Sequence, residues 1–251
     1  LRFQHGAFMF NEMEDAVDRI LDAKDEGEKV LIFGDRDVDG VSSTTILYEC
    51  LKTMGLDVQW SIPTGDQVYS LTKEVIDAFA AQDGTLIITV DCGITAADEV
   101  AYAAEKCIDV IVTDHHNPGD KIPETIILDP KMQDSGYPFP DISGAAVAYK
   151  LVQALRFSKN ELYKQDICLL NVVPVNEAYT IECIKARNLA VKSRLQETIV
   201  PGTIDISQTK LLPFLNGQQI FVWDADVTKK LLARIFGSGI EFNLLDLRPQ
   251  I

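Results

Sequence analysis

Three short stretches of this 251-residue chain carry side chains that could do chemistry, and each one follows an apolar run. The first reads Phe33-Gly34-Asp35-Arg36-Asp37-Val38-Asp39-Gly40-Val41-Ser42-Ser43. Alternate carboxylates on an extended loop can point the same way, and hard oxygen ligands at that density suit Mg2+ or Mn2+. Ser42 and Ser43 fall in the first turn of the helix expected next, where free N–H groups favour phosphate. A D-x-D-x-D-G run also opens a calcium-binding helix-loop-helix. Here Ile46 stands where that loop needs its bidentate glutamate, and the flanks read as strand and helix. The second stretch is Thr89–Ile94, where Asp91 ends a buried strand and Gly93 lets the backbone turn. Alone, Asp91 reads better as the cap of the next helix than as a ligand. The third is Val112–Pro118, with Asp114, His115 and His116 in a row, in a chain whose one other histidine is His5. An Asp-His-His run at a strand end suits metal or phosphate binding, with Asp114 orienting an imidazole from behind.

The elements that must position these residues follow from apolar periodicity. Helices are expected over 14–26, 41–54 (Gly55 as its cap), around 71–79, over 96–106 and over 143–157. Strands are expected over 29–34, 58–62, 85–90, 108–113 and 126–128. Nearly continuous apolar strands alternating with helices predict a parallel sheet sandwiched by helices. Ligands of such sheets bind at the carboxyl ends of the strands, where Asp35, Asp91 and Asp114-His115-His116 fall. Beyond 157 the pattern changes. Residues 158–200 read as a helical segment with a break at Val172–Val175, and 202–213 as a linker. A small α/β unit then takes a strand at Gln219–Trp223, a helix at Val227–Phe236 and a strand at Ile240–Leu245. The expected divisions are 1–157, 158–200 and 201–251.

Composition sets the broad class. With 47% apolar and 24% charged residues the chain is ordinary folding material, long enough for one large core or two modest ones. No apolar run reaches membrane-span length, no signal peptide is expected, and the start at Leu1 leaves room for residues upstream. Five cysteines without a C-x-x-C pair read as reduced residues of a cytoplasmic protein and not as a zinc site. A net charge of −15 argues against a broad basic surface for long nucleic acid. It is compatible with a carboxylate-rich site whose charge divalent cations offset.

Taken together, the three stretches resemble the motifs of the DHH phosphoesterase family. Asp37-Val38-Asp39-Gly40 is similar to its first motif, Asp91 to its second, and Asp114-His115-His116 to the run that names it. The inter-motif lengths, the run IPTGDQVYSLTKEVI and the helix start Ser143-Gly144-Ala145 look most like the RecJ-type branch, single-strand-specific 5′→3′ DNA exonucleases. The resemblance implies two divalent ions, Mn2+ or Mg2+: one held by Asp39, Asp91 and His115, the other by Asp37 and a bridging Asp91, with Asp35 a weaker ligand. It implies that His116 faces the phosphate, helped by Ser42, Ser43 and Arg36. It further implies single-stranded DNA or a short oligonucleotide as partner, no membrane, and DNA-repair or replication proteins of unspecified identity as further partners. The chain also departs from the family. Asn171, in Leu170-Asn171-Val172-Val173-Pro174-Val175, stands where a fourth motif supplies an aspartate, so one ion is expected to bind weakly unless another carboxylate such as Asp166 serves. The loop Thr64–Leu71 lacks the arginine usual there, and no Gly-Gly pair marks a second substrate domain. The alternatives are a catalytically degenerate scaffold, or a phosphodiesterase of short oligonucleotides or cyclic dinucleotides.

Overall fold

The computed structural model describes residues 4–65, 68–239 and 242–248. The expected strand start at Ile240, the middle of the 64–71 loop (Asp66 and Gln67) and the terminal Ile251 lie outside the described residues. The chain forms two compact units, 1–160 and 161–251.

In the first unit the elements run α1 (Met13–Glu26), β1 (Lys29–Gly34), α2 (Val38–Met54), β2 (Asp57–Ser61), α3 (Lys73–Ala80), β3 (Gly84–Val90), α4 (Ala97–Glu105), β4 (Asp109–Thr113), β5 (Ile126–Leu128) and α5 (Gly144–Phe157). All five strands are parallel, in the order β2-β1-β3-β4-β5. Side chains alternate across a strand, so both faces of these apolar strands need cover. Leu31, Phe33, Ile87, Val110 and Val112 pack beneath Ile76 and Phe79 of α3 and Val100 and Ala103 of α4. On the other face lie α1, α2 and α5, burying Val17, Ile20, Leu47, Leu51, Leu151 and Leu155. The sandwiched parallel sheet is therefore as the sequence predicts. Helix α2 starts three residues earlier than its apolar period, because Asp37 caps it through the amides of Asp39 and Gly40.

The second unit corrects the reading of 158–200 as helical. Strands β6 (Asp166–Val175), β7 (Ala178–Arg187) and β8 (Ala190–Ile199) form an antiparallel meander. The stretch expected to be a linker runs into the short helix α6 (Leu211–Leu215), followed by β9 (Gln219–Val222), α7 (Ala225–Phe236) and β10 (Leu244–Asp246). Strands β9 and β10 join the same sheet in parallel with β6, giving the order β10-β9-β6-β7-β8. One core unites the segments split at 200 and 201 in the sequence reading: Cys168, Leu170, Val172, Ile181 and Cys183 pack against Leu211, Leu215, Leu232 and Ile235. The helical reading failed because Val191, Leu195 and Ile199 fall four apart, a helix spacing that β8 adopts as a strand. The hairpin turns lack glycine as well. Asn176, Asn188 and Leu189 take the positive φ values instead (55°, 50° and 63°), so the usual hairpin signal is missing. All five cysteines are free thiols; four are buried, and Cys107 is exposed.

Candidate metal centre

The strand order reverses direction between β1 and β3, the position at which a doubly wound sheet opens a crevice at its carboxyl edge. Register fixes what lines that crevice. Gly34 pairs with Val90, Val90 with Thr113, and Thr113 with Leu128. The next residue on each strand is an aspartate: Asp35, Asp91, Asp114 and Asp129. Four carboxyl groups thus stand in one row at the end of a sheet buried on both faces.

Asp91 lies at the centre of this row. Its backbone is left-handed, with φ 59°, a conformation that a residue with a Cβ adopts at a cost of about 1 kcal/mol. Its side chain is 1% exposed, and Oδ1 accepts no hydrogen bond, although His115 Nε2 lies 3.0 Å away. An unsatisfied buried carboxylate oxygen is costly unless something positive meets it. Ligand atoms of Asp91, His115 and His116 lie within 4.8 Å of one another, and so do those of Asp35, Asp37 and Asp91, which makes Asp91 common to both groups. A donor set of hard carboxylates and imidazoles around an orphaned oxygen fits divalent cations. Helix α5 closes the site from the other side. Gly144 approaches so closely that a Cβ there would overlap Asp91 Oδ1, and only glycine leaves the room. The amides of Gly144 and Ala145 donate to the two oxygens of Asp39 at 2.8 Å each, using the free N–H groups of a helix start. Asp39 Oδ2 also lies 3.6 Å from His115 Nε2.

Behind these groups stands Asp114, 1% exposed and fully engaged. Its Oδ2 accepts the Ile94 amide, and its Oδ1 accepts the amides of His115 and His116 and contacts His116 Nδ1 at 2.7 Å. This contact fixes the ring and leaves Nε2 of His116 for the site. Burial works against a proton on His116, but the Asp114 hydrogen bond and charge outweigh it and raise its pKa above the ordinary histidine value. Burial, and then the charges of Asp39 and Asp37, push Asp91 from 3.8 up to about 7. Burial likewise lifts Asp129 to about 6. Crowded carboxylates that resist ionising mark a site arranged for a cation.

Asp35, Asp37, Asp39, Asp91, His115 and His116, with Asp114 behind, therefore gather where the sequence reading puts them. Others fall differently. Ser43 is fully buried and donates to the Asp39 carbonyl at 2.7 Å, an internal bond of α2 rather than a phosphate contact. Ser42 is half-buried and, because α2 starts at Val38, lies beyond the first turn whose free N–H groups would favour phosphate. The Arg36 guanidinium reaches the Gly65 carbonyl and the Tyr69 hydroxyl, stacked over the Tyr69 ring. Asn171 is not at a helix break: it is an exposed residue within β6 of the second unit, opposite Glu182. Sequence reasoning missed Asp129, fully buried with Oδ2 unpartnered. Its signal was present, a carboxylate directly after the apolar run Ile126–Leu128. It also missed what the small residues at the α5 start do, since backbone amides leave no side-chain signature.

Comparison with known proteins bears on the same residues. A family model described as the DHH family, N-terminal domain, matches residues 29–173. The chain is 39% identical over 150 residues to the single-stranded-DNA-specific exonuclease RecJ of Bacillus subtilis, covering 59% of this chain and 19% of that protein. It is 33% identical over 182 residues to RecJ of Salmonella typhimurium, covering 71% and 31%. Among solved structures it resembles exonuclease RecJ bound to manganese, with TM-score 0.56 and 30% identity over 62% of this chain and 40% of that one. The chain thus spans less than a third of the length of these two curated relatives. The family match extends over more than half of the chain and includes every carboxylate and imidazole of the crevice, so the chain belongs to the DHH family.

Proposed function

We propose that the chain is the metal-binding part of a cytoplasmic, single-strand-specific DNA exonuclease that hydrolyses phosphodiesters in the 5′→3′ direction with Mn2+ or Mg2+. The observation that carries this reading is the buried Asp91, whose Oδ1 accepts no hydrogen bond and whose carboxylate is common to two groups of ligand atoms. Asp39, Asp91 and His115 would hold one ion, and Asp35, Asp37 and Asp91 the other. When bound, the ions supply Lewis acidity and a water acidic enough to attack phosphorus near neutral pH. The chain's own groups do the rest. Asp114 holds the His116 ring through Nδ1, so Nε2 is available to donate to a phosphate oxygen. The α5 amides keep Asp39 in place. The names of the relatives support single-stranded DNA as substrate, and no helix among the described residues is long and apolar enough to cross a membrane.

The test is hydrolysis of 5′-labelled single-stranded DNA and of dinucleotides by the full chain in Mn2+, with and without excess EDTA. Release of 5′ mononucleotides that stops in EDTA supports the reading, and turnover undiminished by EDTA contradicts it. A catalytically degenerate scaffold is the second reading, favoured by the absence of arginine from Thr64–Leu71. It predicts Mn2+ binding without turnover on either substrate.

A further inference from the structure

We propose that Tyr69, backed by the Arg36 guanidinium, is a platform on which a nucleobase of the single strand stacks beside the carboxylate centre. This rests on reading that centre as a site for nucleic-acid phosphodiesters. Arg36 lies in sequence between Asp35 and Asp37, two members of one ligand group. Its guanidinium carbon sits 4.0 Å from the centroid of the Tyr69 ring. The same guanidinium donates to the Gly65 carbonyl and the Tyr69 hydroxyl, tying the β1–α2 loop to the β2–α3 loop. Tyr69 nevertheless remains 54% exposed. A ring held by a guanidinium and still half exposed has already lost rotamer freedom, so a base can stack on it at little further entropic cost. Every base has a π-face, so such stacking tolerates any sequence, and a guanidinium adds to it. A phosphate clamp is the competing use of Arg36. Two of its five N–H donors, one on each terminal nitrogen, already hold the guanidinium over the Tyr69 ring, and this favours the platform. Val38, the first residue of α2 and two residues after Arg36, is 85% exposed.

The proposal is tested by binding, which needs no turnover. The probes are a 3′-fluorescein tetrathymidylate and an abasic oligomer of the same length, both with phosphorothioate linkages, followed by anisotropy with the full chain in Mn2+. The wild type is expected to bind the base-bearing probe about 10-fold tighter than the abasic one, in line with the stacking contribution of a single base. Tyr69→Ala should erase that preference and leave abasic affinity unchanged. Tyr69→Phe should keep it, and Arg36→Gln should reduce it. Equal affinity of the wild type for both probes, or Tyr69→Ala weakening both alike, would overturn the platform and leave the loop contact as a strap only. Failure here separates from failure of the functional reading: Mn2+-dependent hydrolysis without base preference removes the platform alone. Base-dependent binding without hydrolysis removes the nuclease alone.

Discussion

Asp91 concentrates the electrostatic cost of this protein. It stands in a left-handed backbone at the end of β3, with Asp39, Asp37 and Asp114 adding to its burial. In the unfolded chain it ionises at 3.8, and in the folded chain at about 7. Between those values the folded form holds the extra proton. Stability of the metal-free protein therefore falls as pH rises through that window and stays reduced above it. Asp129, lifted to about 6 by its burial, acts in the same direction over a narrower window. Asp91→Asn removes the larger effect, so at pH 8 the metal-free variant should melt several degrees above the wild type, at roughly 2–4 °C per kcal/mol. Mn2+ should stabilise the wild type and leave the variant nearly unmoved. A variant that melts at or below the wild type in EDTA would mean that the Asp91 charge is compensated in a way this geometry lacks. Gly144 gives a second residue-level check. Replacing glycine by alanine within a helix usually stabilises, but a methyl group here overlaps Asp91 Oδ1. Gly144→Ala is expected to cost about 1–3 kcal/mol by overpacking, read by urea denaturation, and to weaken Mn2+ binding at least 10-fold by calorimetry. Unchanged stability would place α5 further from Asp91.

At the scale of elements, the two units were unequally legible in the sequence. Strands β1, β3 and β4 are buried on both faces, so they read as unbroken apolar runs, and the carboxylate after each is conspicuous. That one pattern gave the sheet, its functional edge and most of the ligand set. Strand β6 has one buried face, carrying Cys168, Leu170 and Val172, but its other face also bears Leu169 and Val173. Apolar residues on both sides hid the period of two. The Asn171 assignment depended on this same stretch, since Leu170–Val175 resembles a family motif in letters while pairing along its length with β7. The β7–β8 turn offers a test of why the hairpin went unseen. Leu189 holds φ 63° and is 66% exposed, a position suited to glycine. Leu189→Gly should stabilise the second unit by about 1 kcal/mol, measured as a shift in its thermal transition. Destabilisation would mean that Leu189 makes packing contacts that outweigh its backbone strain.

For the whole molecule, charge is the dominant fact. Thirty-eight acidic against 23 basic residues leave a net −15. Phosphate contacts supply most nonspecific affinity for DNA, and they come from Lys and Arg. The chain by itself should therefore bind a long single strand weakly, with a dissociation constant above about 10 µM at physiological salt. The log–log salt slope should be shallow. Filter binding over a salt series decides this, and nanomolar affinity or a steep slope would reveal a basic track that the composition does not suggest. Whatever the substrate, the chemistry depends on one thing, that the row of aspartates at the β1/β3 crossing holds divalent ions. The direct measurement is anomalous diffraction at the manganese edge from crystals soaked in MnCl2. A metal centre here predicts a peak within about 2.0–2.6 Å of Asp91 Oδ1 and of an imidazole nitrogen of His115. Crystals with full-occupancy manganese elsewhere and no peak beside Asp91 would contradict it.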